Sequence, residues 1–259
     1  MKSNPFRRPG AALALAAGLA AAAPALAPAL AQDATPPFDA RQKEAIDALV
    51  RQYILDHPEV VVEALQRYEE ARQAAEAERQ RAALATFATQ LTADPRDPVI
   101  GNPQGDVTLV EFFDYRCPYC KRATETLAQL IGEDPNLRVV MKEFPILSQE
   151  SVQAARAALA ARDQGKYEAF HFALMEGGGG FTDEEILLVA EQVGLDTDAL
   201  ELAMRDPAID ALLREVNALA EQLGITGTPA FIIGGTLIPG AVGLEQLRAK
   251  VAEVRASKG

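Results

Sequence analysis

The chain carries apolar side chains at helical spacing between polar ones shortly after its first forty residues. This periodicity predicts an amphipathic helix from about Phe38 to Leu55, with apolar positions at Ile46, Leu49, Val50, Tyr53 and Ile54. A second helix start follows at Asp56–Glu59, where Asp56 would be the N-cap residue and Pro58 would lie in the first turn.

The helical pattern of the second helix continues from Val60 to about Leu91. Its first turns place Val61, Leu65 and Tyr68 on one side, but Glu69–Arg81 contains only Ala, Glu, Gln and Arg. A helix this polar is expected to be solvated along its middle. Two short helices make a poor core by themselves. We therefore interpret residues 32–91 as a helical segment that forms oligomers or a stalk, with the apolar part contacting other chains.

The next segment changes from helical to strand-like patterning. Residues 92–106 are rich in Pro, Gly and Asp, which predicts a linker or an irregular strand leading into the next domain. Val107–Tyr115 is a run of β-branched and aromatic residues typical of a buried strand. We predict a helix over Pro118–Ile131 and a second strand over Arg138–Phe144, closed by Pro145.

The remainder combines a long helical stretch with a hairpin. Residues 147–223 are almost wholly helical in pattern, with breaks at Gly165, Gly177–Gly180 and Pro207. Ala230–Ile233 and Thr236–Ile238 flank a Gly234-Gly235 turn, a typical hairpin signal, and a last amphipathic helix covers Gly243–Arg255. The order predicts an α/β domain over residues 107–259 with a helical insertion; its expected core aromatics are Phe112, Phe113 and Phe231. The four-glycine run is interpreted as an interhelical loop, because no Lys-Ser/Thr follows it to make a phosphate site.

The first 31 residues have the pattern of a secretory signal peptide. A basic start precedes an apolar run of about thirteen residues, and cleavage is expected after Ala31; the features are Lys2, Arg7, Arg8, Ala11–Ala23 and Ala29-Leu30-Ala31. A membrane anchor is the alternative, but a spanning helix needs about 20 apolar residues. We therefore expect a periplasmic protein in an oxidising compartment.

Composition and charge exclude several function classes. Lys and Arg number 25 and Asp and Glu 37, which gives a formal net charge of −12. Such an acidic chain lacks the positive surface that nucleic acids or anionic membranes require, so no nucleic-acid partner is expected. With two cysteines and no tryptophan, the chain is not a disulfide-dense scaffold.

The two cysteines form a Cys117-Pro118-Tyr119-Cys120 motif where a predicted strand passes into a helix. A thiol at a helix N-terminus meets unpaired backbone N–H groups and the positive end of the helix dipole, which favour the thiolate of Cys117. Cys120 lies one turn later, close enough to resolve a mixed disulfide. Pro118 suits the first turn of a helix, because no hydrogen-bond donor is lost there.

Three other uses of the cysteine pair remain open. A structural disulfide across four residues would stabilise the fold by only about 2 kcal/mol. A zinc site would need two further ligands, and His57 and His171 are distant in sequence and are interpreted as helix-surface or cap residues. Two thiolates could also hold Cu(I). We favour redox chemistry, with no metal and no cofactor beyond a Cys117–Cys120 disulfide.

At this motif the chain resembles a known family. Phe112–Lys121 is similar to the active-site strand and helix of DsbA-family thiol-disulfide oxidoreductases, and Gly227–Phe231 is similar to their cis-proline loop. The resemblance covers Val107–Arg255 and implies a thioredoxin fold with an inserted helical domain. It implies cysteine-containing protein substrates and a membrane redox partner.

The resemblance also implies residue roles. Cys117 would be the nucleophile and Cys120 the resolving thiol, with Pro118 and Tyr119 tuning the redox equilibrium. Thr228 would precede a cis Pro229 that lies against the cysteines and leaves backbone groups free for substrate.

One charged residue of the predicted strand also matches the family. Glu111 corresponds to a buried acid that assists proton transfer during turnover. Lys142, on the adjacent predicted strand, is the expected partner of Glu111.

The N-terminal segment, including Asp56–Val60, resembles the N-terminal region of ScsC-type proteins, a branch linked to copper tolerance. In that branch the segment makes oligomers and some members are disulfide isomerases. The resemblance favours a dimeric or trimeric isomerase or reductase, with a DsbA-like oxidase as the alternative. A periplasmic Cu(I)-binding protein is the alternative from another function class.

Overall fold

The computed structural model of the chain describes residues 38–257. The expected signal peptide, residues 1–31, lies outside these described residues. The chain divides into two compact units, one ending at Val62 and the other beginning at Glu63.

The first unit contains helix α1, Ala40–Asp56, and the beginning of helix α2, Glu59–Thr86. Asp39 caps α1 through a reciprocal pair of bonds with Gln42, at 2.8 and 2.9 Å. Asp56 was expected to cap α2, but this prediction is wrong because α1 extends through Asp56. His57 is the C-cap residue of α1 and donates its backbone N–H to Tyr53 O.

The single helix predicted to Leu91 is broken at Phe87, and a short helix α3, Ala88–Thr92, follows. The hydroxyl of Thr86 donates to Ala82 O at 2.8 Å, a side-chain bond that bends helices. Leu84 and Leu91 are buried on either side of the break. The bend thus lets the second unit bury apolar side chains from both helices.

A five-stranded mixed sheet forms the centre of the second unit. Its strands are β1 Val99–Gly101, β2 Val107–Phe113, β3 Leu137–Glu143, β4 Ala230–Ile233 and β5 Thr236–Pro239. The spatial order is β1-β3-β2-β4-β5, and β2 and β3 are parallel while the other neighbours are antiparallel. Strand β1 lies within the segment that the sequence predicted as a linker or irregular strand.

Seven further helices of the described chain cover the sheet. Helix α4, Pro118–Glu133, connects β2 to β3, and α10, Leu244–Ala256, follows the hairpin. The helices between β3 and β4 are α5 Gln149–Ala160, α6 Tyr167–Glu176, α7 Asp183–Gln192, α8 Thr197–Ala203 and α9 Pro207–Gln222. The predicted breaks lie between these helices, and Pro207 begins α9 behind the N-cap Asp206.

Alternate strand residues contribute to two hydrophobic cores, one on each face of the sheet, because successive side chains of a strand point to opposite faces. Phe113 and Phe231 belong to the core that includes both cysteines and residues of α4, α6 and α10. Phe112 belongs to the opposite core with α5 and α9. All three aromatics are fully buried, as predicted. The site-bearing strand β2 is thus covered on both faces.

Candidate active site

Both cysteines lie at the start of α4, directly after the central strand β2. Cys117 is the N-cap residue of α4, its N–H donates to Asp114 O at 3.0 Å, and Pro118 occupies the first turn. Cys117 is 5% exposed and Cys120 is fully buried, and both are free thiols. Only the first of the two can be reached directly from solvent.

The turn before β4 brings a backbone acceptor to the first thiol. Cys117 Sγ lies 3.3 Å from Thr228 O, and the Thr228–Pro229 peptide bond is cis. The two residues are separated by more than a hundred positions in the sequence. The fold therefore places the predicted Thr228-Pro229 turn against Cys117.

Glu111 lies in the middle of β2, opposite Met141 of β3 and Phe231 of β4. It is fully buried, and among the described residues neither of its carboxylate oxygens has a hydrogen-bond partner. Burial, with a smaller contribution from Cys117, raises the pKa of Glu111 to about 8. Burial and then the charge of Glu111 raise the pKa of Cys120. This acid is therefore electrostatically coupled to both thiols.

Lys142 does not pair with Glu111, so this prediction is wrong. Lys142 lies opposite Phe112 in the register, and its Nζ instead binds buried Asp97 and donates to Gln90 O at 2.6 Å. Successive strand residues point to opposite faces of a sheet. Lys142 therefore faces away from Glu111.

Asp114 is a site residue that the sequence analysis missed. This buried carboxylate accepts from Arg116 N and Ser151 Oγ, both at 2.8 Å. It also accepts from the backbone N–H groups of Ile146 and Leu147, at 2.9 and 3.0 Å. It thereby joins the active-site turn to the loop after β3. An Asp just after a strand is a common turn signal and could have indicated the local bond.

His171 was interpreted as a surface residue, but it is 1% exposed. Its Nδ1 lies 3.0 Å from Tyr115 Oη, and Tyr115 Oη donates to Glu143 Oε1 at 3.1 Å. Tyr167 Oη donates to the same oxygen at 2.8 Å. Burial lowers the pKa of His171 to about 3, so the imidazole is neutral. A buried polar cluster thus lies behind the active-site turn. His57, by contrast, is an exposed cap residue.

The two residues between the cysteines form the exposed rim of the site. Pro118 is exposed and Tyr119 is 56% exposed, with the Arg122 guanidinium 4.5 Å from the centre of its ring. Lys121 points the other way and donates to Gly177 O at the end of α6. An aromatic surface therefore lies next to a nearly buried thiol.

The family described as DSBA-like thioredoxin domain matches residues 108–252. This range begins within β2 and ends within α10, so it omits the edge strand β1. The chain belongs to this family. A second family description, copper resistance protein ScsC N-terminal domain, matches residues 42–76. The DsbA-like domain and the ScsC-type segment therefore have the order that the sequence predicted, and the chain is a DsbA/ScsC-like thiol-disulfide oxidoreductase by family.

Two solved structures illustrate the relationship. A thioredoxin-like oxidoreductase from Silicibacter pomeroyi is 50% identical, covers 66% of this chain and 98% of its own, and has a TM-score of 0.62. A Proteus mirabilis ScsC variant with a linker deletion and one substitution is 31% identical, covers 85% of this chain and 98% of its own, and has a TM-score of 0.64. The second likeness extends beyond the DsbA-like domain.

The chain also matches part of a longer protein. It is 32% identical over 161 residues to Na(+)/H(+) antiporter NhaA 1 of Salinispora arenicola, which covers 61% of this chain and 25% of that protein. The chain thus spans about a quarter of the length of that relative. Within the described DsbA-like chain, no helix is both long and apolar enough to cross a membrane.

Proposed function

We propose that the chain catalyses thiol–disulfide exchange on proteins in the periplasm, with Cys117 as nucleophile and Cys120 as resolving thiol. The observation that carries this proposal is the position of Cys117 at the N-terminus of α4, with its Sγ 3.3 Å from Thr228 O. A cysteine at a helix N-terminus faces unpaired backbone N–H groups, and its thiolate is the form that attacks a substrate disulfide. Attack forms a mixed disulfide with Cys117 and releases one substrate thiolate.

The second step regenerates the substrate thiol. Cys120 attacks Cys117 Sγ, which forms the Cys117–Cys120 disulfide and releases the second substrate thiolate. Burial raises the pKa of Cys120, so its thiol must lose a proton before it attacks. Glu111 is the proposed acceptor because it is the buried acid coupled to this thiol; it accepts in its ionised form, which its pKa of about 8 makes the minority form at neutral pH. A reduced membrane partner would then return both thiols to the reduced state.

Pro118, Tyr119, Thr228 and Pro229 are proposed to act on the same exchange. Tyr119 presents an exposed ring beside the thiol, where it can contact an extended substrate. The Thr228-Pro229 turn adjoins Cys117 Sγ and is the proposed backbone docking edge. The same burial of Cys120 disfavours a second thiolate, so we propose redox exchange in preference to Cu(I) sequestration.

We further propose that the protein is an oligomeric isomerase or reductase. Every residue of α1, all within the described chain, is exposed, including Leu49 at 68% and Tyr53 at 53%. A 17-residue helix without a single buried side chain leaves its apolar face without a core. A dimer or trimer of the chain would cover that face. Several active sites in one assembly suit the reshuffling of wrong disulfides.

The test is reactivation of scrambled, oxidised ribonuclease in a glutathione buffer. We expect reactivation by the full chain, loss of turnover in Cys117→Ser, and accumulation of mixed disulfides in Cys120→Ser. Full reductase activity in Cys117→Ser would contradict the assignment of the nucleophile.

A surface pair of variants tests the oligomer. Leu49→Asp should dissociate the assembly in sedimentation and abolish reactivation, whereas Ala48→Asp places the same charge on the polar side of α1 and should change neither. If ribonuclease is oxidised rapidly but never reshuffled, the protein is a DsbA-like oxidase instead.

A further inference from the structure

The exchange steps above make no use of the buried cluster behind the active-site turn. Its members are Tyr115, Glu143, Tyr167 and His171, which are 1%, 3%, 6% and 1% exposed. Buried polar groups are costly unless they are hydrogen-bonded. Here each side chain has a partner inside the cluster, so the four side chains form one hydrogen-bonded network.

The hydroxyl of Tyr115 is the node of this network. It has one proton, which it donates to Glu143 Oε1 at 3.1 Å, and His171 Nδ1 lies 3.0 Å away on its other side. A neutral imidazole carries one N–H, so the Nδ1–H tautomer completes the chain by donating to Tyr115 Oη. With the Tyr115 proton on the bond to Glu143 Oε1, the hydroxyl oxygen is free to accept from His171.

The network joins the active-site turn to the inserted helices. Tyr115 lies between β2 and Cys117, whereas Tyr167 and His171 both lie on α6. The ring of His171 also packs edge-on against Phe113, with centroids 4.9 Å apart. The turn that carries the nucleophile is thus held from α6 through a hydroxyl and an aromatic contact.

We propose that Tyr115 and His171 are positioning residues that favour the disulfide form of the Cys117–Cys120 pair, because they order the active-site turn by anchoring it to α6. This inference rests on the proposed function, because it concerns the same cysteine pair.

The anchor acts differently on the two redox forms. In the oxidised form, the disulfide closes a short covalent ring that restrains the turn by itself. In the reduced form, the turn depends on non-covalent contacts, among them the 3.3 Å contact of Cys117 Sγ with Thr228 O. Loss of the anchor therefore gives the reduced turn more conformational entropy than the oxidised turn, and the equilibrium moves toward the two thiols.

The measurement is the equilibrium with glutathione, in which the disulfide and two glutathione thiols give two protein thiols and glutathione disulfide. Tyr115→Phe keeps the ring but removes the node hydroxyl. The loss of a hydrogen bond predicts an equilibrium constant for reduction that is about three- to tenfold larger, and tenfold corresponds to about 30 mV.

Tyr167→Phe is the matched control. It removes one hydroxyl bond to the same oxygen of Glu143 but leaves the link between Tyr115 and His171. Its equilibrium constant should stay within about twofold of the wild type. Equal shifts in both variants, or no shift in Tyr115→Phe, would overturn the proposal.

Stability and rescue are two further measurements that distinguish a positioning role from a purely structural one. Tyr115→Phe should destabilise the oxidised protein more than the reduced one, by the same factor as the change in equilibrium constant. His171→Leu should reproduce the shift, and His171→Asn, which keeps a polar atom near Nδ1, should restore the constant. Equal destabilisation of the two redox forms contradicts the inference.

The glutathione equilibrium needs no protein substrate, so this test can be separated from that of the proposed function. A wild type that equilibrates with glutathione but never turns over protein disulfides would refute the proposed function and leave the positioning result standing. A catalytically active wild type with an unshifted Tyr115→Phe would refute only the positioning role.

Discussion

Burial of Glu111 destabilises the folded protein at neutral pH. Its carboxylate is fully buried and without a hydrogen-bond partner among the described residues, and its pKa is raised to about 8. The folded state therefore keeps this proton up to about pH 8, whereas the unfolded chain releases it near pH 4.5, the ordinary value. Between these two values, the folded state binds more protons, so stability falls as pH rises.

The size of the effect follows from the shift. Each pKa unit corresponds to about 1.36 kcal/mol, so the total cost above pH 8 is about 5 kcal/mol. At pH 7 about 3 kcal/mol of that cost is present, and at pH 5 less than about 1 kcal/mol. Glu111→Gln keeps the shape but cannot ionise. The variant should therefore be more stable than the wild type by amounts that grow with pH in this window.

The assay is denaturant unfolding of the reduced protein from about pH 5 to about pH 8.5, a range that spans most of the titration of Glu111. The control is Glu125→Gln, at an exposed position on α4. Glu125→Gln should follow the wild type at every pH. The same Glu111→Gln variant should resolve mixed disulfides more slowly, because the proton acceptor near Cys120 is gone. A stability difference that does not change with pH would refute the reasoning.

Two further changes test the packing around the site. Lys142→Met removes one partner of a buried ion pair and leaves Asp97 uncompensated, so unfolding should become easier by about 3–5 kcal/mol in denaturant titration. Gly234 has φ +56°, and a Cβ there would lie 2.2 Å from Val254 Cγ2. Gly234→Ala should therefore cost about 1–3 kcal/mol more than Gly235→Ala, which has φ +74° and open space around it; equal costs would contradict the predicted clash.

The parts of the site that the sequence predicted are those with local signals. The β-branched run of β2, the Pro at the first position of α4 and the two-cysteine spacing all lie within a single short stretch of the chain. They place Cys117 at a helix N-terminus without any knowledge of the sheet. The hairpin turn at Gly234-Gly235 was also predicted from neighbouring residues alone, and both glycines have positive φ.

The failures concern contacts that depend on register or on distant segments. Pairing Glu111 with Lys142 required a register one residue away from the observed one, in which Glu111 lies opposite Met141. A shift of one residue moves a side chain to the other face of the sheet. His171 looked like a surface residue because its partner, Tyr115, lies on a different element, 56 positions away. Neither the strand register nor the contact between His171 and Tyr115 can be recognised from a single sequence.

The sheet face beneath the thiols holds two buried acids that differ in their hydrogen bonds. Glu111 and Glu143 lie on neighbouring strands and face the same side, since Glu143 is opposite Phe113 in the register. Two tyrosine hydroxyls satisfy Glu143, whereas Glu111 has no partner among the described residues. Burial raises the pKa of both acids, and the tyrosine hydroxyls offset this effect in part at Glu143, whereas the acid beside the cysteines has no such donors. An unsatisfied buried acid costs stability, so its position argues for proton exchange at Glu111 and for anchoring at Glu143.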